Sequence, residues 1–335
     1  MFQDDQNSLK VWQLKTMRES VDWEIQGDRI TFFKNFYPFI ENWIDGLPNL
    51  RDIFQQDEIE LLLLDSINNL NRVPYTNRTV ERLIQFVVST GYKDEPKLDE
   101  EGKPAMVRHT PVHLAARRWC LDLVPELFKI YDRFDVNFID GDGYTHFHAA
   151  CMGGCYDVVE KFLDFGQDPN FLVSSSNCSP LFLAVELCVF YNKESGMKVA
   201  ELLLRRGADP TLANAHGVTP LHDIGSNVDC AKMMLEINGD DIQRTARLVH
   251  ARDIYGKTPL HSAAREGRAD LIELLLSKGA NPYAVDHNGV TPHQLIGHRV
   301  ELLELFRKYR EENQQAMEDQ CLYSARGEKR KNIED

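Results

Sequence analysis

The sequence predicts an all-α solenoid, built of stacked helix-turn-helix units with projecting β-turn fingers between them and preceded by a helical N-terminal cap region. Three observations lead there. First, one short anchor recurs: Thr110-Pro-Val-His113, Thr145-His-Phe-His148, Ser179-Pro-Leu-Phe182, Thr219-Pro-Leu-His222, Thr258-Pro-Leu-His261 and Thr291-Pro-His-Gln294. The spacings are 35, 34, 40, 39 and 33 residues, and a near-constant period marks a repeat architecture. Second, apolar residues after each anchor fall at three- and four-residue steps, as in Leu271, Ile272, Leu274 and Leu275, the pattern of a helix with one buried face. Third, Gly-x-Asp/Asn-Pro and Asp/Asn-x-x-Gly punctuate the units at fixed places, where glycine permits positive φ and proline stops a helix.

Each unit reads in the same order. Threonine is a good N-cap and proline at the first helical position gives up no needed N–H, so each anchor is expected to open a helix. Small residues come next (Ala115-Ala116, Ala149-Ala150, Ala263-Ala264), then Gly153 or Gly267 to end it. A second helix carries Val158-Val159-Phe162-Leu163, Val199-Leu202-Leu203 or the Leu271 set, and ends at Gly166, Gly207 or Gly279 before Pro169, Pro210 or Pro282. The turns Asp140 to Gly143, Asn214 to Gly217, Asp253 to Gly256 and Asp286 to Gly289 then form the fingers. Two units depart from the period. An excess over Glu186 to Met197 is expected to lengthen the first helix or its loop. After Thr219 the alanines are missing, the second helix is expected at Cys230 to Ile237, and a long loop, Asn238 to Arg252, comes after it. Each irregular loop is a surface insertion or a partner contact.

Upstream, Leu83-Ile-Gln-Phe-Val-Val-Ser-Thr-Gly91 matches the order of Leu271 to Gly279, which makes 76–104 a degenerate repeat with Asp99 to Gly102 in the finger register. Residues 1–75 hold a six-aromatic stretch from Thr31 to Trp43 and a helical run from Asp57 to Leu70. They form either a cap, because a stack exposes apolar ends, or a docking module with Trp12, Trp23 and Trp43 as anchors. The array is expected over 76–310 and a polar, disordered tail over 311–335.

This pattern resembles the ankyrin repeat, whose period and Thr-Pro-Leu-His motif it shares over about residues 105 to 310. Leu47-Pro-Asn-Leu-Arg-Asp-Ile-Phe54, Phe128 to Asn137 and Thr145 to His148 also look like a multi-copy family of insect ankyrin-repeat proteins, a likeness that implies no activity.

With 38 basic against 52 acidic residues the formal charge is −14, unlike the basic stripe of a nucleic-acid binder. No long apolar run suits a membrane, and the acidic N-terminus MFQDDQNSLK is not a signal peptide. The chain is therefore expected to be intracellular. Lys329-Arg-Lys331 is short for a nuclear signal, which favours the cytoplasm. Seven cysteines without a CxxC pair are expected as free thiols, with Cys151 and Cys155 as packing residues. His113, His148, His222 and His261 belong to the anchor and march along an axis rather than converge, so they are assigned to hydrogen bonding between repeats and not to a metal.

No catalytic motif, cofactor or metal site is legible. The resemblance implies a monomeric, non-catalytic scaffold that binds another protein, with acidity favouring a basic partner surface. Its contact surface is expected at Asp142, Tyr144, Met152, His216, Val218, Ile254, Tyr255, Lys257, Arg265, Glu266, His287 and Asn288. Two other functions are kept in view: an adaptor whose N-terminal segment recruits a second complex such as a ubiquitin ligase, and an enzyme with an unrecognised site.

Overall fold

The computed structural model describes residues 2–41, 43, 45–70, 76–225, 227–237 and 241–312. The tail expected over 311–335, with Cys321 and the basic cluster, lies outside them except for 311 and 312, which continue a helix. The described residues are helical, with isolated bridges in place of strands. They form two compact units, Met1–Leu187 and Cys188–Asp335.

The first unit holds α1 (Phe2–Glu19), α2 (Gln26–Glu41), α3 (Gln56–Asn68), α4 (Asn77–Ser89), α5 (Pro111–Arg117), α6 (Val124–Leu127), α7 (His146–Met152) and α8 (Tyr156–Asp164). Helices α3, α5 and α7 pack in succession as one layer, and α4, α6 and α8 pair with them as a second. Helix α2 covers α3 and α4, and α1 lies on α2. Thus α3 takes the place of a first helix and α4 that of a second, a pair that straddles the 75/76 division drawn from sequence. The expected helices at Leu83 and Asp57 are these two.

Three carboxylates on α3 are each claimed by an arginine from elsewhere. Arg18 of α1 binds Glu58 at 2.6 Å, Arg29 of α2 binds Asp65 at 2.6 Å, and Arg108 binds Glu60 at 2.8 Å. Arg108 also pairs with both oxygens of buried Asp94 at 2.8 Å. Aromatic rings fill the space between the helices: Trp23, Phe32, Phe36, Phe54 and Phe86 meet at centroid distances of 5.2–6.2 Å. Trp43 is buried against Phe86 and Trp23 is half-buried, while Trp12 stays 62% exposed. Of the three tryptophans considered as docking anchors, only Trp12 is presented to solvent.

Helix α9 (Pro180–Phe190) crosses from one unit to the next. The second unit continues with α10 (Lys193–Arg205), α11 (Val228–Glu236), α12 (Ile242–Val249), α13 (Pro259–Glu266), α14 (Ala269–Ser277), α15 (Pro292–Leu295) and a helix over 300–312. Helix α13 packs on α14 and α15, and α11 on α10 and α14. The insertion at Glu186 to Met197 lengthens both helices of its repeat, to 11 and 13 residues against 7 and 9 in α7 and α8.

Thr219 opens no helix: a turn with His222 N–H on the Thr219 carbonyl at 3.0 Å leads to left-handed Gly225, because Asp223-Ile-Gly supplies neither helix formers nor a continuing backbone. The Asn238 to Arg252 stretch is not all loop, since Asp241 caps α12 by accepting the Arg244 N–H, and Leu248 and Val249 bury its apolar side. In the repeat at Thr145 the left-handed residue is Gly154, not Gly153, which sits in ordinary helical conformation. The corresponding position after Thr110 is Trp119, left-handed at φ 57° without being glycine, a conformation that costs roughly 1–2 kcal/mol.

Every anchor histidine makes the same pair of bonds. In His148, Nδ1 accepts the Thr145 N–H at 3.2 Å and Nε2 meets the Phe171 carbonyl at 2.7 Å. His113 does this with Thr110 and Phe138, His222 with Thr219 and Lys257, and His261 with Thr258 and Val290. One nitrogen accepts, so the other carries the proton and donates to the carbonyl leading into or out of the next finger. The assignment of these histidines to stitching between repeats therefore holds.

At Thr291, Gln294 replaces histidine and accepts the Thr291 N–H at 2.8 Å. At Ser179 the position is Phe182, whose own N–H is bonded to Ser179 Oγ at 3.1 Å. Burial lowers all four imidazoles, His113 and His148 to about 4.

A histidine kept neutral in the fold but protonated when unfolded makes stability full above about pH 6.5 and lost progressively as pH falls toward 4. Urea melts at stepped pH will show that decline, and His148→Gln, which keeps the cap as Gln294 does, will remove about one proton from the slope. Arg108→Ala leaves two acidic side chains without their partner and will cost on the order of 3–5 kcal/mol. Arg205→Ala, which breaks an exposed 2.7 Å pair with Glu201, will cost at most about 0.5 kcal/mol in the same melts.

Candidate protein-binding site

The fingers are made by one local device. In Asp253-Ile-Tyr-Gly256, the Asp253 Oδ1 accepts the Tyr255 N–H at 2.9 Å and the Lys257 N–H at 2.8 Å. Asp140, Asn214 and Asp286 do the same for residues two and four positions on. Asp99 repeats it with Glu101 and Lys103, ahead of left-handed Gly102, so the degenerate repeat carries a finger where its register placed one. Each turn is thus fixed by a carboxylate or amide at its first residue and a left-handed glycine at its fourth.

Backbone hydrogen bonds also tie three of these fingers to the succeeding repeat. In the second unit the Ile254 N–H donates to the His216 carbonyl at 3.0 Å, and the His287 N–H to the Tyr255 carbonyl at 2.9 Å. In the first, the Ser175 N–H donates to the Asp142 carbonyl at 3.1 Å. Close contact makes glycine obligatory twice over at Gly217, where a Cβ would lie 3.0–3.1 Å from backbone atoms of Asp253 and Ile254.

The expected contact residues divide by burial. His216, Ile254, Tyr255, His287, Asn288, Arg265, Glu266 and Asp142 are exposed, and Val218 and Lys257 are half-buried. Tyr144 and Met152 are not surface groups: both are buried, and the Tyr144 hydroxyl bonds the Met152 sulfur at 3.0 Å. They are corrected to core residues, because in the tight turn Tyr144 comes directly after the glycine and points inward with the anchor. Asp142 is tied down by Arg117, which also holds Asp140 at 2.9 Å.

In the second unit the tips of successive fingers present His216, then Ile254 and Tyr255, then His287. The Lys257 ammonium lies 5.5 Å from the Tyr255 ring, a cation–π contact. Other exposed aromatic residues include Trp119, Tyr156 and Phe165 in the first unit and Phe190, Tyr191 and Tyr283 in the second.

The anchor histidines have both ring nitrogens engaged. Among the described residues no cluster of three or more His, Cys, Asp or Glu could hold a metal, and no helix is long and apolar enough to cross a membrane. Cys151 and Cys155 are buried thiols, the latter pushed up to about 12 by burial.

Paired helices, asparagine- or aspartate-led fingers and Thr-to-His anchors define a helical repeat protein of the kind that presents a surface to other proteins. The family model for ankyrin repeats (3 copies) matches residues 75–173, 112–211 and 181–286, and the chain belongs to that family. It is 26% identical over 247 residues to the ankyrin repeat protein nuc-2 of Neurospora crassa, covering 72% of this chain and 21% of that protein. It is 30% identical over 178 residues to the transient receptor potential cation channel subfamily A member 1 of Drosophila melanogaster, covering 51% of this chain and 14% of the channel. With human protein phosphatase 1 regulatory subunit 27 the identity is 34% over 102 residues, 29% of this chain and 61% of that subunit. The chain thus spans about a fifth or less of the first two relatives.

Alanine at Gly289, left-handed with open space around it, will cost about 1 kcal/mol for the conformation alone. Alanine at Gly217 will cost more, on the order of 2 kcal/mol, since a neighbouring finger must also shift. Urea midpoints of the two variants measure the difference.

Proposed function

We propose that the protein is a non-catalytic scaffold, intracellular and cytoplasmic, that grips another protein with the finger tips of its second unit. The observation that carries this reading is the row of His216, Tyr255 and His287: exposed on successive fingers whose backbones are bonded to one another. Such a row holds aromatic and imidazole groups in fixed register without the entropy loss that loose loops incur on binding. Ile254, Lys257 and Asn288 flank it, and Arg265 and Glu266 lie at the end of α13. The net charge of −14 favours a partner with a basic surface through faster encounter. Membership of a family used widely for protein interaction supports the reading, as does likeness to a phosphatase regulatory subunit.

Affinity purification from a native lysate will test it, using the intact chain and a triple variant, His216→Ala, Tyr255→Ala and His287→Ala, matched for helicity. Loss of a specific protein from the variant, with an association rate that falls as salt is added, is the expected result. Full retention of partners would move the site to the N-terminal helices, where Trp12 is exposed, and favour the adaptor reading.

A further inference from the structure

The insertion that lengthens α9 does more than extend a helix. In the repeats at Thr110, Thr145 and Thr258 the ninth residue after the anchor is left-handed: Trp119, Gly154 and Gly267. Nine residues after Ser179 stands Cys188, in continuing helix. Its backbone is pressed against α10, where a Cβ on Gly196 would lie 2.5–2.7 Å from Cys188 N, Cα and Cβ. Only glycine fits there, so the position of Cys188 is fixed.

The Cys188 sulfur faces the start of α11. Buried Asn227, the N-cap of that helix, uses its two side-chain atoms on two cysteines: Oδ1 accepts the Cys230 N–H at 3.2 Å, and Nδ2 donates to Cys188 Sγ. The Cys230 thiol hydrogen-bonds the same sulfur. As a thiol, Cys188 reaches the Lys193 carbonyl at 3.5 Å. The Lys193 ammonium, paired with Asp229 at 2.9 Å, is the nearby cation. Two donors and the Lys193 ammonium favour the thiolate, and they outweigh burial and the Asp229 carboxylate, which oppose it. Cys188 is accordingly lowered from the ordinary thiol value, first by the Cys230 hydrogen bond, while Cys230 is raised because it keeps its proton as the donor in that bond and is buried, and Cys151 and Cys155 are raised by burial.

We propose that Cys188 and Cys230 form a peroxide-responsive dithiol, with Cys188 as attacking sulfur, Cys230 as resolving sulfur and Asn227 as the positioning residue. The Cys188 thiolate attacks one oxygen of a hydroperoxide. The O–O bond breaks, the distal oxygen leaves and takes a proton as water or alcohol, and Cys188 becomes a sulfenic acid. The Cys230 sulfur then displaces that oxygen, which departs as water with the Cys230 proton, and a disulfide closes between α9 and α11. The two sulfurs together lose two electrons and the peroxide gains two. Cys188 is only 5% exposed, which selects hydrogen peroxide over an oxidant as large as glutathione disulfide.

The test uses the reduced full chain, treated with graded hydrogen peroxide or with glutathione disulfide, blocked with N-ethylmaleimide and mapped by peptide mass spectrometry. The expected result is a Cys188–Cys230 cross-linked peptide that forms with peroxide before Cys120 or Cys178 is modified, forms at least about tenfold more slowly with glutathione disulfide, and is reversed by dithiothreitol. In Cys230→Ser, Cys188 will stop at the sulfenic acid and be trapped by dimedone. Asn227→Asp keeps the cap oxygen but removes the N–H donor. It will slow both peroxide oxidation and iodoacetamide labelling of Cys188 by about tenfold at neutral pH, and will move the labelling profile to higher pH. Prior oxidation of Cys120 or Cys178, conversion of Cys188 to sulfinic acid without a disulfide, or unchanged kinetics in a folded Asn227→Asp protein would overturn the proposal.

Discussion

One hydrogen-bonded pair recurs and the rest of the architecture hangs on it: threonine at a helix start, histidine three residues later. The ring accepts the threonine N–H with one nitrogen and gives its proton to a carbonyl of the next segment with the other. A helix N-terminus has N–H groups with no partner in its own helix, and a finger has carbonyls facing a neighbour. Histidine answers both needs with one neutral ring, which is why its burial and its lowered basicity go together. Gln294 in the repeat at Thr291 obeys the same physics, since its amide oxygen accepts the Thr291 N–H and satisfies the cap.

Carboxylates perform the analogous task at the start of the chain. Glu58, Glu60 and Asp65 on α3 are met by Arg18, Arg29 and Arg108, so the N-terminal helices are joined to the repeats by directional charge pairs as well as by aromatic packing. Isolated surface pairs contribute little; these are buried or partly buried, and the energetic weight lies in the penalty for removing one partner. Helix α2 packs over α3 and α4, and α1 over α2.

The finger face and the dithiol are distinct consequences of the same regularity. The tips of successive fingers are joined by backbone bonds, even across the irregular repeat at Thr219, and their side chains are left exposed. Where the period is broken, at Glu186 to Met197, helices lengthen and a cysteine arrives where a tight turn otherwise sits. Two thiols and an amide then meet in a place the repeat pattern itself would never create.

Much of this was legible in the sequence because its causes are local. Capping by threonine, the asparagine- or aspartate-led turn and left-handed glycine each depend on residues within four positions, so Thr258 to His261 and Asp253 to Gly256 announced their structures directly. Even the stitching role of histidine could be read, since its period excluded a converging metal site. Other features depend on what lies across space. The inward turn of Tyr144 onto Met152, the loss of a helix after Thr219, the helix within Asn238 to Arg252 and the pairing of α3 with α4 required the neighbours that bury or exclude each side chain. Likewise Cys188 and Cys230 are unremarked thiols in the chain, and only the crossing of α9, α10 and α11 puts them on one asparagine. Local hydrogen bonding determined the repeat and its period, whereas packing between neighbouring helices decided which finger residues stay exposed and which cysteines share one asparagine.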